Sequence, residues 1–148
     1  MSTTRIDGAG ARGTAPVVQL DRIELEVLRD LVDLEAKAVV ADILDARTAD
    51  ELDAAILEAR HRSRLLHTVE DGVLTLDART VEIIEAERAA TLDTLEHDHR
   101  RLVGQRAGDP DCRCYGMTMA ESERQTLRQI DRLFDEVAVY DRLLSRAR

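Results

Sequence analysis

A chain of 148 residues that is 44% apolar can bury one aliphatic core, while a net charge of -9 sets it against binding nucleic-acid phosphates through charge alone. Aromatic residues make up 2% (Tyr115, Phe134 and Tyr140), which suits helix-on-helix packing better than an aromatic-lined ligand pocket. No apolar run approaches the ~20 residues of a membrane span, and the first residues lack the apolar segment of a secretory signal, so the expected location is cytoplasmic.

Residues 1–17, with Gly8, Gly10 and Gly13 among Ala, Ser and Thr, show no periodicity and read as a disordered tail. One helical domain is expected over 18–148. Its first helix spans 19–46, where Leu20, Ile23, Val27, Leu31, Leu34, Ala38 and Ala41 recur at steps of three and four. A second set, Leu25, Leu28, Val32, Val39 and Ile43, widens the apolar surface, as if this helix met neighbours on two sides.

Thr48-x-x-Glu51 is a capping box and opens a second helix over 48–68, through Leu52, Ile56, Ala59 and Leu66. The short connection makes the first two helices an antiparallel hairpin. Asp71-Gly72, set between β-branched residues, signals a turn and a small two-stranded hairpin. Asp77 caps a third helix over 77–107, carried by Val81, Ile84, Leu92, Leu95, Leu102 and Val103 and stopped by Gly108-Asp109-Pro110. After the loop at 111–116, Thr118-x-x-Glu121 opens a fourth helix over 118–146, with Leu127, Ile130, Phe134, Val137 and Leu144 on one side. Three of these helices run to about 40 Å at ~1.5 Å per residue. The expected class is all-α: an elongated antiparallel three- to four-helix bundle with long coiled-coil-like helices and a disordered N-terminal tail.

Two Glu-x-x-His steps, Glu58-x-x-His61 and Glu96-x-x-His99, lie inside helical patterns. Residues three apart share a helix face, and carboxylate-bridged di-metal bundles use two such steps. At ~100° per residue, however, Glu58 and His61 turn away from the Leu52–Ile56–Leu66 side, and Arg60, Arg62 and Arg64 would repel a cation. His99 falls on the apolar side of its helix, where an interior histidine satisfied by a carboxylate or carbonyl is the simpler expectation.

Zinc is the other metal candidate. Cys112 and Cys114 follow the third helix closely, and with His97 and His99 they supply two thiolates and two imidazoles. The one-residue gap strains any Cys112–Cys114 disulfide, and His97 and His99 diverge by ~200°, so one other ligand, such as Asp109, Asp111 or His67, would be needed. Without metal, the pair is two thiols in a tight loop. Catalytic signatures are absent: there is no Gly-rich phosphate loop, no Gly-x-Ser-x-Gly and no dinucleotide fingerprint.

Charge is unevenly spread. Residues 19–58 hold twelve acids and four bases, whereas Arg124, Arg128 and Arg132 stack by fours on the last helix. Opposite an acidic face carrying Glu26, Asp30 and Asp33, that stripe would select partner and orientation. The sequence therefore points first to a non-enzymatic helical module that self-associates and binds a protein partner. A DNA-associated regulatory or packaging protein using its Arg-rich helices is the second reading. A metalloprotein, with structural zinc or a di-metal bundle, is the third.

Overall fold

The structure is a computed structural model and describes residues 14–114 and 116–148. The tail expected over 1–17 therefore lies outside the described residues as far as position 13. In chain order the elements are β1 (Val17–Gln19), α1 (Arg22–Asp45), α2 (Ala49–Glu70), β2 (Val73–Thr75), α3 (Ala78–Arg106), β3 (Arg113–Cys114), β4 (Met117–Thr118) and α4 (Met119–Arg146). Four helices of 22 to 29 residues against strands of two or three place the chain in the all-α class.

The chain divides into two compact units. One runs up to Glu82 and takes in Arg146–Arg148; the other is Ile83–Ser145.

In the first unit, Val17 to Gln19 form a strand where the tail was expected to give way to helix. β1 pairs antiparallel with β2 in the register Val17↔Thr75, Val18↔Leu74 and Gln19↔Val73. The ladder continues through Leu76 N–H to Pro16 O (2.8 Å) and Leu20 N–H to Gly72 O (2.9 Å). Helix α1 therefore starts three residues later than its periodicity suggested. Asp21 caps it: the Asp21 carboxylate accepts from Glu24 N–H (2.8 Å), and the Glu24 carboxylate accepts from Asp21 N–H (3.0 Å).

α1 and α2 pack together as a helical hairpin across a three-residue connection. Thr48 accepts from Glu51 N–H (3.1 Å) as its capping pattern requires, although Glu51 reaches back to the amide of Arg47. At the far end, Asp71 N–H donates to His67 O and Gly72 N–H to Val69 O, with Gly72 at φ +76°. The Asp71-Gly72 turn is thus a helix terminus, where glycine takes the left-handed conformation cheaply. The small hairpin expected there is replaced by pairing with the distant β1. The buried apolar residues of this unit are Leu28, Leu31, Val32, Val39, Ala55, Val69, Leu74 and Leu76.

In the second unit, α3 and α4 lie side by side. Arg88 Nε donates to Asp141 Oδ1 (2.6 Å) and Arg106 Nε to Glu123 Oε1 (2.9 Å). Going from 88 to 106 on α3 corresponds to going from 141 to 123 on α4, eighteen residues in each case, so the helices run antiparallel in register. β3 and β4 connect them, pairing Arg113 with Thr118 and Cys114 with Met117, and Gly116 takes φ +82°. Thr118 and Glu121 make the full reciprocal capping box (2.7 and 3.2 Å). Ile83, Ile84, Leu102, Ile130, Leu133, Val139, Tyr140 and Leu143 are buried here.

Candidate interaction surface

The inward face of α2 differs from the one that hydropathy selects. Ala55 and Val69 are buried, and Glu58, Ala59, Arg62, Leu65 and Leu66 are half-buried, while Leu52 and Ile56 are exposed. Glu58 and His61 therefore do not belong to a solvated face, as their angle from Leu52 and Ile56 suggested. Glu58 lies 2.7 Å from Arg79 and 3.6 Å from Arg62, whose side chain is only 14% exposed. Burial, and then the charge of Arg79, lower the pKa of the Arg62 guanidinium from its ordinary value. Hydrogen bonds to Glu58 and Glu82 raise that of Arg79. The Glu58 carboxylate is engaged by two guanidiniums, an arrangement that neutralises it without metal.

On α3 the expectation for His99 is corrected. The inward stripe is Ile84, Thr91, Leu95, Asp98, Leu102 and Gln105, and His99 is exposed, as are His97 and Glu96. Glu96 pairs with Arg100 one turn on. Leu95 and Leu102 fit both assignments of the face; the polar Asp98 and Thr91, which decide between them, carry no hydropathy signal. Asp98 is 3% exposed, with Arg101 3.5 Å from its carboxylate.

Cys112 is an exposed free thiol. Its carbonyl accepts from Met119 N–H (2.9 Å), which ties the loop to the start of α4. The side chain of Cys114 lies outside the described residues. Among the described residues, no three His, Cys, Asp or Glu side chains converge as metal ligands, so the di-metal set (Glu58, His61, Glu96, His99) is not assembled there, and Cys112, His97 and His99 of the zinc set (Cys112, Cys114, His97, His99) do not converge by themselves. No helix among them is long and apolar enough to cross a membrane.

The charged stripe on the last helix is at the surface. Arg124, Arg128 and Arg132 are all exposed, and Arg132 lies 3.2 Å from Glu136. On α1, Glu26 lies 3.3 Å from Arg22, and Asp30 and Asp33 are exposed.

What sequence reasoning missed is which α1 stripe is inside. The whole second set, Leu25, Leu28, Val32, Val39 and Ile43, is at least half-buried, and of the first set only Leu20, Val27 and Leu31 turn inward with it. Ile23, Leu34, Val40 and Leu44 are exposed instead, and α2 adds Leu52, Ile56 and Leu57. These seven aliphatic side chains, 37 to 78% exposed, all sit on one hairpin. Comparison with known protein families, with curated proteins and with solved structures finds no match to this chain.

Val40 and Leu44 are one turn apart on α1, Leu52 and Ile56 one turn apart on α2, and both pairs flank the three-residue connection. Beside that connection is a concavity of about 390 Å³ with carboxylates of Asp42, Asp45, Glu51 and Glu58 around Ala54 and Ala55. The hairpin end is thus aliphatic with an acidic rim. Such a surface offers apolar area to a partner and repels anionic ones.

Proposed function

We propose that the chain is a non-enzymatic helical interaction and assembly module of the cytoplasm, and that the α1/α2 hairpin is its docking face. The carrying observation is the set of seven exposed aliphatic residues on that hairpin. Monomeric soluble proteins scatter such residues singly, and clusters mark interfaces. Ile23, Leu34 and Leu44 lie about half a turn from the buried stripe of α1, where a coiled-coil-like partner helix would seat. The acidic rim favours a partner helix edged with Arg or Lys, and the Arg124, Arg128 and Arg132 stripe of a second copy has that chemistry.

Native mass spectrometry of the untagged, reduced protein, purified without chelator, tests this directly. A dimer or higher oligomer that Leu34→Glu combined with Leu44→Glu reduces to monomer supports the proposal. A wild-type monomer at high concentration, binding no helical partner, overturns it.

The exposed arginine step favours a second reading, a DNA-associated protein. The net charge of -9 opposes it, and a flat gel-shift titration at low salt would remove it. The same mass spectrum tests the metalloprotein reading, since one zinc per chain would place Cys112 at a structural site.

A further inference from the structure

Between α2, β2 and the start of α3, all within the first unit, is a cavity of about 280 Å³ lined by His61, Arg64, Thr68, Thr75, Asp77 and Thr80, with Leu65 as its apolar wall. It lies apart from the docking face proposed above. Its lining is sorted by charge: a guanidinium and an imidazole come from α2, and a carboxylate comes from Asp77, the residue before α3. The His61 Nε2 atom is buried and has no hydrogen-bond partner. A buried polar atom in that state is costly and is ordinarily satisfied by a ligand group or ordered water. The Thr68 hydroxyl is spent on Leu65 O (2.9 Å), and one Asp77 oxygen on Thr80 N–H (2.8 Å). The Thr80 hydroxyl is likewise bonded to Asp77, so the Thr75 hydroxyl and the remaining acceptor capacity of the Asp77 carboxylate are the polar groups left in the wall.

We infer that this cavity is a binding site for a small carboxylate carrying an adjacent hydroxyl or ammonium group. The ligand carboxylate meets Arg64 and His61, the two nitrogen-bearing side chains of the lining. The adjacent donor meets Asp77, an acceptor in the one place where a simple anion would be repelled. A plain carboxylate lacks that second contact and leaves Asp77 facing it, so the site discriminates by an unpaired polar group as well as by attraction. Asp77 is held ionised for this role. Burial alone would raise its pKa, but hydrogen bonds from the amide and hydroxyl of Thr80 and the charges of His61 and Arg64 outweigh it and hold the carboxyl below its ordinary range. The size is consistent: about 280 Å³ is near the lower end of ligand pockets and holds only a small molecule.

The experiment is a titration of the full-length protein with glycolate, glycine, acetate and inorganic phosphate, each at the same pH and ionic strength. The readouts are the His61 ring resonances and the Thr75 and Thr80 amides. The expected result is a saturable shift with glycolate or glycine, about tenfold weaker with acetate, and lost in Arg64→Gln. Arg64 is exposed, so that variant keeps the fold; an unchanged Thr80 amide in the unliganded protein verifies it. No saturable shift with any of the four, a response to acetate or phosphate equal to that to glycolate, or binding unaffected by Arg64→Gln overturns the assignment.

Discussion

The Glu24 carboxylate, 1% exposed, lies 3.1 Å from the Arg146 guanidinium and also accepts from the amide of Asp21 at 3.0 Å. One side chain therefore caps the start of α1 and holds Arg146, the last residue of α4, in the first unit. The two partners are unequal, because the Arg146 side chain is 38% exposed and can return to water whereas Glu24 cannot. Removing arginine strands a buried anion; removing the charge of Glu24 strands only a guanidinium that water can reach. Arg146→Met should therefore cost roughly 2–4 kcal/mol and Glu24→Gln about 1–2 kcal/mol in urea unfolding. The reverse order would mean that the cap, not the ion pair, dominates.

That pair also marks where the sequence stops being legible. The four helices, their lengths and three of their caps follow from periodicity and from Thr48, Asp77 and Thr118, all local signals. The α1 cap was legible too, since Asp21-x-x-Glu24 has the spacing of a capping box, but periodicity running back through Leu20 hid it. Helix faces were harder. On α1 two apolar stripes compete, and on α2 and α3 the inward positions Glu58, Arg62 and Asp98 are charged, so hydropathy selects the wrong side. Pairing of β1 with β2, 56 positions apart at Val18 and Leu74, leaves no local trace at all. The candidate surface inherits these difficulties, because knowing which residues are exposed requires knowing which face won.

Asp77 gives a pH signature. Its folded-state pKa is lowered, so the stability it contributes is complete above the unfolded value of about 3.9 and is lost as pH falls through the lower folded value. Asparagine caps helices as well as aspartate does, so Asp77→Asn keeps the hydrogen bond to Thr80 and removes only the charge. The variant should be less stable than wild type at neutral pH, and the gap should close below about pH 4. Thermal melts across that range measure it; a constant gap would show that the Asp77 carboxyl is not lowered in the folded state.

Ile130 and Phe134 sit one turn apart on α4 and look equivalent in the sequence. Ile130 is buried and Phe134 is 57% exposed, because the inward stripe runs through Thr126, Ile130, Leu133 and Tyr140. Ile130→Ala should cost about 2–5 kcal/mol, as core truncations do. Phe134→Ala should fall within roughly 0.5 kcal/mol of wild type, as surface substitutions do. Urea denaturation of the two variants is sufficient, and equal losses would place Phe134 in an interface with a second copy.

Arg106 and Glu123 test the antiparallel register of α3 and α4. The pair is 2.9 Å apart across the two helices, with Arg106 56% and Glu123 30% exposed, so water screens it. A double-mutant cycle with Arg106→Ala and Glu123→Ala should return a favourable coupling of about 0.2–1 kcal/mol that shrinks as salt is added. Arg106→Glu alone should be destabilising through like charge, and combining it with Glu123→Arg should recover most of the loss. Arg106 and Asp141 are at opposite ends of the aligned stretch, so a cycle between them should give no coupling. Coupling in that control and none between Arg106 and Glu123 would require the two helices to run in another register.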